Sequence, residues 1–309
     1  MKRGRVLFFP GCSISKNPGL LAQGIELIRM NSGMSPAVLD GVCCGSPALS
    51  IANLELYNVL LGQFLEKAAC FSPSEIVLAC PHCIEGLARA GILCELSHRE
   101  SDLLLKATDL YSWLLGRGFS PGKRLHFKGA WLDVCANSKS RSASESGRLL
   151  VEKLFTEKLV EVSAAGGGCA CRAGFAGNFS GEQEEFTGQV LRSVVAAGAE
   201  IVVTNCPSCS ERMVRDRDNR GDRGNRSNRG NRSNRGEQRD QSLPRSLTSI
   251  SQSDEVKFLG SDVNLRELFD TVIPFDNRGC YLPNALLRCY HAIELLYQSS
   301  YLLKKKGHS

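Results

Sequence analysis

Apolar residues follow two rhythms along this chain. Four short runs are apolar almost without interruption: Val6-Leu7-Phe8-Phe9, Glu75-Ile76-Val77-Leu78, Ala130-Trp131-Leu132-Asp133-Val134 and Glu200-Ile201-Val202-Val203. Runs this short and this rich in β-branched residues predict buried strands. Between them apolar residues recur every three or four positions, from Leu20 to Met30, Ile51 to Ala68 and Glu184 to Ala197. That spacing predicts amphipathic helices. Alternating strand and helix predict an α/β protein with mainly parallel sheets. Ligands of such sheets collect at the carboxyl ends of the strands.

Cysteines mark the same alternation. Cys12, Cys43, Cys44, Cys80 and Cys83 are followed, 123, 126, 127, 126 and 126 residues later, by Cys135, Cys169, Cys171, Cys206 and Cys209. One internal repeat thus accounts for ten of the 14 cysteines. Cys12, Cys80, Cys135 and Cys206 each follow a predicted strand. The reading is therefore two pseudo-repeated α/β domains, 1–120 and 121–279, joined near Pro121-Gly122. After an Arg-rich stretch the second domain resumes at Val256-Lys257-Phe258-Leu259. Residues 280–309 read as a C-terminal helical tail, with an amphipathic helix from Leu282 to Leu303 closing on Lys304-Lys305-Lys306. A basic end complements a helix C-terminus, so the lysines call for no partner.

Length and charge narrow the picture further. A chain of 309 residues with 42% hydrophobic and 23% charged content is globular and long enough for two cores. The formal charge of +6 suggests an anionic partner only until it is located. Between Glu211 and Arg245 there are eleven Arg and six acids, which carry five of those six charges. Arg217, Arg220, Arg223, Arg226, Arg229, Arg232 and Arg235 recur there at every third position among Asn, Gly and Ser. With almost nothing apolar to bury, 211–245 reads as a disordered insertion in the second domain. It has no aromatic residue on which bases would stack, so no nucleic-acid partner is expected. No apolar run approaches the ~18–20 residues of a membrane span. Val6 to Phe9 is too short for a signal-peptide core, which points to the cytoplasm. In that compartment clustered cysteines are metal ligands rather than disulfides.

The first repeat supplies five thiols, where a structural zinc takes four ligands. Adjacent Cys43-Cys44 cannot pair without strain, but they can serve neighbouring metal atoms. A Cys-x-x-Cys turn presents two sulfurs on one side of a loop. Five soft donors fit a multi-iron cluster best. Cys70 and Cys94 read as small core residues, and Cys280 and Cys289 as packing or incidental thiols. His82, inside Cys80-Pro81-His82-Cys83, is expected to hydrogen-bond near a cluster. His98, His126, His291 and His308 show no chemistry.

Pro10-Gly11-Cys12, Cys43-Cys44-Gly45-Ser46-Pro47 and Cys80-Pro81-His82-Cys83 resemble the signature of the duplicated cysteine-rich CCG-domain family. That family includes the disulfide-cleaving subunit of heterodisulfide reductase and related anaerobic iron–sulfur oxidoreductase subunits. The resemblance implies that Cys12, Cys43, Cys44, Cys80 and Cys83 hold a noncubane [4Fe-4S] cluster and act in catalysis through it. It implies a second centre on Cys135, Cys169, Cys171, Cys206 and Cys209, an iron–sulfur cluster or zinc. The second repeat departs from the pattern, because Cys169-Ala170-Cys171 replaces the Cys-Cys pair and Ala136 follows Cys135. The implied function is passage of electrons to a disulfide or another small acceptor. The chain lacks a ferredoxin-type Cys run, so electrons are expected from a ferredoxin-type iron–sulfur subunit, with a flavoprotein subunit as a further partner. Two alternatives stand beside it. One is an electron-relay subunit of a flavin-linked lactate, glycolate or glycerol-3-phosphate dehydrogenase complex, and the other is a zinc-stabilised scaffold without redox function.

Overall fold

A computed structural model describes residues 5–122, 124–133, 141–161, 181–211, 213 and 288–306. Its elements run β1 (Val6–Phe9), α1 (Cys12–Ser15), α2 (Pro18–Ser32), β2 (Ala37–Val38), α3 (Ser46–Ser50), α4 (Leu54–Cys70) and β3 (Glu75–Leu78). They continue with α5 (Pro81–Ala88), α6 (Ala90–Leu93), α7 (His98–Leu104), β4 (Ala107–Asp109) and α8 (Leu110–Gly116). The second repeat contributes β5 (Gly129–Trp131), α9 (Arg141–Glu152), β6 (Val160–Glu161), α10 (Gly181–Ala196), β7 (Ile201–Thr204), β8 (Arg288–His291) and α11 (Ala292–Lys306). The four predicted strands and the three predicted helical regions are all present.

Two four-stranded sheets form, ordered β2-β1-β3-β4 and β6-β5-β7-β8. Every pairing in both is parallel. The register places Phe9 beside Leu78 in the first sheet and Ala130 beside Val202 in the second. Equal order and equal direction make the two halves copies of one α/β unit.

Strand alternation divides the core in three. Val6, Phe8 and Val77 point to one face of the first sheet, and Trp131, Ile201 and Val203 to one face of the second. All six belong to one shared apolar cluster, which also takes in Leu27, Leu150 and Ile293. The opposite faces, Leu7, Phe9, Ile76 and Leu78 in one sheet and Ala130, Leu132 and Val202 in the other, each serve a separate cluster. Helix α2 of the first copy packs on α11 of the second, and α9 of the second packs on α8 of the first. Because α2 corresponds to α9, and α8 to α11, the copies meet about a pseudo-twofold axis.

Two elements differ from the sequence expectation. The helix expected from Ile51 begins three residues later, at Leu54, because α3 ends at Ser50 and Ala52 takes a positive φ of 55°. Asn53 then starts α4, its Oδ1 accepting from the Leu56 N–H at 2.9 Å. Within the C-terminal segment, Arg288–His291 is not helical but pairs with β7 as the fourth strand of the second sheet. The turn that separates strand from helix is His291 itself. Its Nδ1 accepts from the Ile293 N–H at 3.2 Å, while Glu294 Oε2 accepts from the His291 N–H at 2.9 Å. No Gly, Pro or Asn marks this boundary, so nothing local separates the two elements. The Arg-rich insertion and the run from Val256 to Leu259 lie outside the described residues, apart from Glu211 and Met213.

Candidate metal centre

In the first copy three loops bring thiols to the carboxyl ends of β1 and β3. Cys12 opens α1 directly after β1, behind Pro10-Gly11. Gly11 sits at φ +81°, and a Cβ there would stand 2.9 Å from Cys83 Sγ and 3.0 Å from Cys80 Cβ. Only glycine lets this turn approach the Cys-x-x-Cys loop so closely. Cys80 is the N-cap of α5, with Pro81 at the first helical position, where its missing N–H is no loss. The turn closes as the Cys83 N–H donates to the Cys80 carbonyl at 3.0 Å.

Cys43 and Cys44 lie on the loop before α3, and Gly45 at φ +79° starts that helix. A Cβ on Gly45 would fall 2.5 Å from the Tyr57 ring. Tyr57 in turn donates its hydroxyl to the Gly86 carbonyl at 2.7 Å, tying α4 to α5 beneath the loop. Gly86 is equally tight, since a Cβ there would meet Ser46 Cβ at 3.0 Å and the Cys44 carbonyl oxygen at 3.3 Å.

Four of the five thiols are linked by hydrogen bonds, Cys43 to Cys44, Cys44 to Cys83 and Cys83 to Cys80, and Cys12 lies close enough to feel their charge. Cys44 accepts from the Cys43 and Cys83 thiols and from the Ser46 N–H, which hold it well below the usual thiol range. Cys80 is lowered by the Cys83 thiol first, and also by His82. The donors move the other way: Cys43 is raised chiefly by its bond to Cys44, and Cys83 by its bonds to Cys44 and Cys80. Burial raises Cys12, reinforced by the neighbouring Cys80 and Cys44. Cys44, Cys80 and Cys83 are buried, Cys43 is half-buried and Cys12 is exposed. A cationic group could take the place of the thiol protons that link these sulfurs. Such a donor set, soft and free of carboxylates, suits a sulfur-ligated multi-metal group. Among the described residues no three Cys, His, Asp or Glu side chains are arranged to hold a single metal ion.

The second copy repeats the strand-end placement. Cys206 follows β7 and starts a helical turn over 207–211, its carbonyl accepting from the Ser210 N–H at 3.0 Å. Cys206 and Cys209 are both fully buried, and Cys206 is lowered, mainly by the Cys209 thiol. Cys135, Cys169 and Cys171 lie outside the described residues.

The two loops meet across the pseudo-twofold. His82 Nδ1 lies 3.9 Å from Cys206 Sγ, and Ser13 Oγ lies 3.4 Å from Ser208 Oγ. Tyr111 is buried nearby, close enough to feel charge on both Cys80 and Cys206. Among the described residues its hydroxyl has no hydrogen-bond partner. His291 Nε2 contacts the Asn205 carbonyl at 3.1 Å, just ahead of Cys206. Ser13, Tyr111, Ser208 and His291 carry no signal in the sequence, because each acts across the fold.

The remaining cysteines divide. Cys70 is exposed, not a core residue: it ends the last turn of α4 and its thiol donates to the Glu66 carbonyl at 3.3 Å. The apolar stripe of α4 turns inward at Phe64, Leu65 and Ala68, which leaves position 70 on the solvent side. Cys94 is half-buried, packs against the first copy's own cluster and donates to Asn58 Oδ1 at 2.9 Å. Cys289 lies on β8, and Cys280 lies outside the described residues.

Fold and site together define a duplicated α/β protein whose strand ends carry clustered thiols in both copies. The cysteine-rich CCG domain matches residues 6–87 and again 130–213, which together exceed half of the chain. The chain belongs to the CCG cysteine-rich domain family. It is similar to the EtfAB:quinone oxidoreductase of Syntrophomonas wolfei, 24% identical over 227 residues, covering 67% of this chain and 30% of that protein. It is also similar to an uncharacterized iron–sulfur protein of Methanococcus maripaludis, 23% identical over 215 residues, covering 69% and 41%. The chain thus spans well under half the length of either relative. Among the described residues no helix is long and apolar enough to cross a membrane.

Proposed function

We propose that this chain is a cytoplasmic iron–sulfur electron-transfer subunit of the heterodisulfide-reductase type. The observation that carries this reading is the convergence of five thiols at one sheet's strand ends, four of them linked by thiol hydrogen bonds, opposite a second Cys-x-x-Cys. Cys12, Cys43, Cys44, Cys80 and Cys83 would hold a [4Fe-4S] cluster, of the noncubane type that the family resemblance implies. Cys135, Cys169, Cys171, Cys206 and Cys209 would hold a second centre, iron–sulfur or zinc. Bound iron–sulfur groups supply one-electron transfer and iron with affinity for soft sulfur. The chain's own part is to bring the thiolates together, bury three of the first five, and leave Cys12 exposed toward an acceptor. Two one-electron centres on facing loops suit a two-electron acceptor such as a small disulfide. Electrons would arrive from a ferredoxin-type iron–sulfur subunit, with a flavoprotein subunit as a further partner.

A second reading keeps the centres and changes the acceptor: a relay subunit in a flavin-linked dehydrogenase complex. The relative named as a quinone oxidoreductase favours it. Anaerobic purification with iron, sulfide and zinc analysis and electron paramagnetic resonance tests both. About eight irons per chain fit two four-iron clusters and about four fit one, whereas zinc without iron leaves only a scaffold. A resonance signal that changes when a thiol is added under oxidising conditions favours the disulfide reductase, and an unchanged signal favours the relay.

A further inference from the structure

Tyr57 and Tyr111 are both buried beside the first thiol set, at 0% and 1% exposure. Tyr57 donates its hydroxyl to the Gly86 carbonyl, whereas the Tyr111 hydroxyl has no hydrogen-bond partner among the described residues. Burying a hydroxyl is costly without such a partner, so this one calls for an acceptor. Strand register says where that acceptor lies. Leu78 of β3 pairs with Asp109 of β4, and Cys80 and Tyr111 each follow that pair by two residues, at the same end of the sheet. The helices they enter pack accordingly, α5 against β4 and α8 against β3. Burial first, and then charge on Asp109, Cys80 and Cys206, raise the phenol well above its usual range, so its proton stays in place as a donor. The second copy lacks this group. Thr204 pairs with His291 in the same register, and the residues two further on are Cys206 and Ile293. An apolar side chain thus stands where the first copy has its hydroxyl.

We propose that Tyr111 donates its hydroxyl hydrogen bond to a sulfur of the group held by Cys12, Cys43, Cys44, Cys80 and Cys83, and so raises the reduction potential of the first centre. The inference rests on the reading of that cysteine set as an iron–sulfur site. Reduction adds negative charge that the sulfurs share, and a donor at a sulfur stabilises that charge. One proton and one acceptor suffice, and no residue changes protonation. A hydroxyl satisfied by a buried water instead would leave the potential where it is without the phenol.

The test is a redox titration of the anaerobically purified full chain, followed by electron paramagnetic resonance, for wild type, Tyr111→Phe and Tyr111→Leu. Iron and sulfide are counted in each sample, and the signal lost in Cys83→Ser marks the first centre. At wild-type iron content Y111F should move that midpoint to a more negative value. The reduced-to-oxidised ratio at a fixed potential should fall about tenfold, ~59 mV for one electron. Y111L also lacks the hydroxyl and should give the same shift, whatever it costs in stability. An unmoved midpoint in Y111F overturns the donor role and leaves the cluster reading intact. A shift seen only in Y111L overturns it too, because the ring and not the hydroxyl would then be responsible. So does a shift confined to a signal that survives in C83S, or loss of iron from Y111F, which would make the residue a support of the loop. A wild-type chain without iron overturns the underlying reading and the donor role with it.

Discussion

The two copies share a strand order and a thiol position but diverge in what surrounds them. In both, the third strand runs directly into a Cys-x-x-Cys whose first cysteine is buried, Cys80 in one and Cys206 in the other. The connection from there to the fourth strand spans 79–106 in the first copy and 205–287 in the second, roughly three times as long. Despite that expansion β8 pairs with β7 in the place that β4 takes beside β3. Loop closure becomes only slowly costlier with length, so a long insertion can leave the sheet intact. The residues that face the thiols are freer still: His82 stands opposite Ser208, and Asp109 at the end of β4 corresponds to His291 at the end of β8. The scaffold is thus shared where it places Cys80 and Cys206 and varied in the residues around them.

The severest test of this division removes one thiol from each copy. Cys83→Ser takes away the donor that serves both Cys44 and Cys80 and should cost the first centre its iron, about four atoms per chain. Cys209→Ser should cost only the second centre. Iron analysis of the two variants separates independent copies from a single unit: where the wild-type chain holds about eight irons, loss of all iron in either variant contradicts independence.

Next in size is the turn before the first cysteine, where the second repeat has Val134 in place of Gly11. Gly11→Val writes one copy's residue into the other. At φ +81°, with Cys83 Sγ 2.9 Å from the new Cβ, a β-branched residue is strained and clashes at once. A loss of about 3 kcal/mol is expected. A lower urea midpoint, with iron lost from the first centre alone, is the expected outcome. A variant with wild-type stability and iron would show that the turn tolerates a side chain.

The paired strand ends give a pH-dependent contrast. Asp109 Oδ1 accepts from the Tyr111 and Ser112 N–H groups at 3.0 and 2.9 Å, and His291 Nδ1 does the same for Ile293. Capping through Nδ1 requires neutral imidazole with its proton on Nε2, donated to the Asn205 carbonyl. Burial depresses His291 to about 4 from its ordinary 6.5. The unfolded chain therefore takes up this proton first as pH falls. Stability from His291 is fully present above pH 6.5 and drains away toward pH 4, on the order of 3 kcal/mol in all. Half-buried Glu294 and buried Asp109 are raised by desolvation and act in the opposite sense, so the difference between wild type and His291→Asn isolates the histidine. Asn keeps an acceptor for the Ile293 N–H but does not titrate. Near pH 7 the variant should be about 1–2 kcal/mol less stable, and that gap should shrink as pH falls. A constant gap in urea unfolding between pH 7 and 4.5 contradicts the capping role.

Much of this architecture is legible in the sequence, for reasons that can be assigned. Val6-Leu7-Phe8-Phe9 and its counterparts announce strands because burial on both faces leaves no polar alternation to obscure them. The repeat is legible because sulfur spacing is fixed by the loops that carry it. Strand β8 is hidden because it runs straight into a helix and the boundary is a histidine cap. Cys70 misleads because a helix rich in apolar residues still keeps one side for solvent. The reach of His82 to Cys206 cannot be read at all, since the pairing is set by how two domains dock and not by local pattern.

The smallest effect concerns Tyr111, which sits where the copies meet. Its hydroxyl is buried without a hydrogen-bond partner among the described residues, and burial beside Asp109, Cys80 and Cys206 raises its pKa well above 10. The phenol is therefore neutral throughout the physiological range. A buried, unpaired hydroxyl costs about 1–3 kcal/mol of desolvation, and removing it relieves that cost. The ring meanwhile fills space in the shared cluster, against Trp131 and Gly147. Tyr111→Phe keeps the ring and should leave the metal-depleted chain equally stable or about 1 kcal/mol more stable. If the seam is the same in the metal-loaded chain, the change there should be equally slight. A clear loss of stability only when metal is bound would mean that the hydroxyl finds its partner in the loaded centre. That outcome would make Tyr111, with His82, part of the junction between the two copies and not merely a filler of their common core.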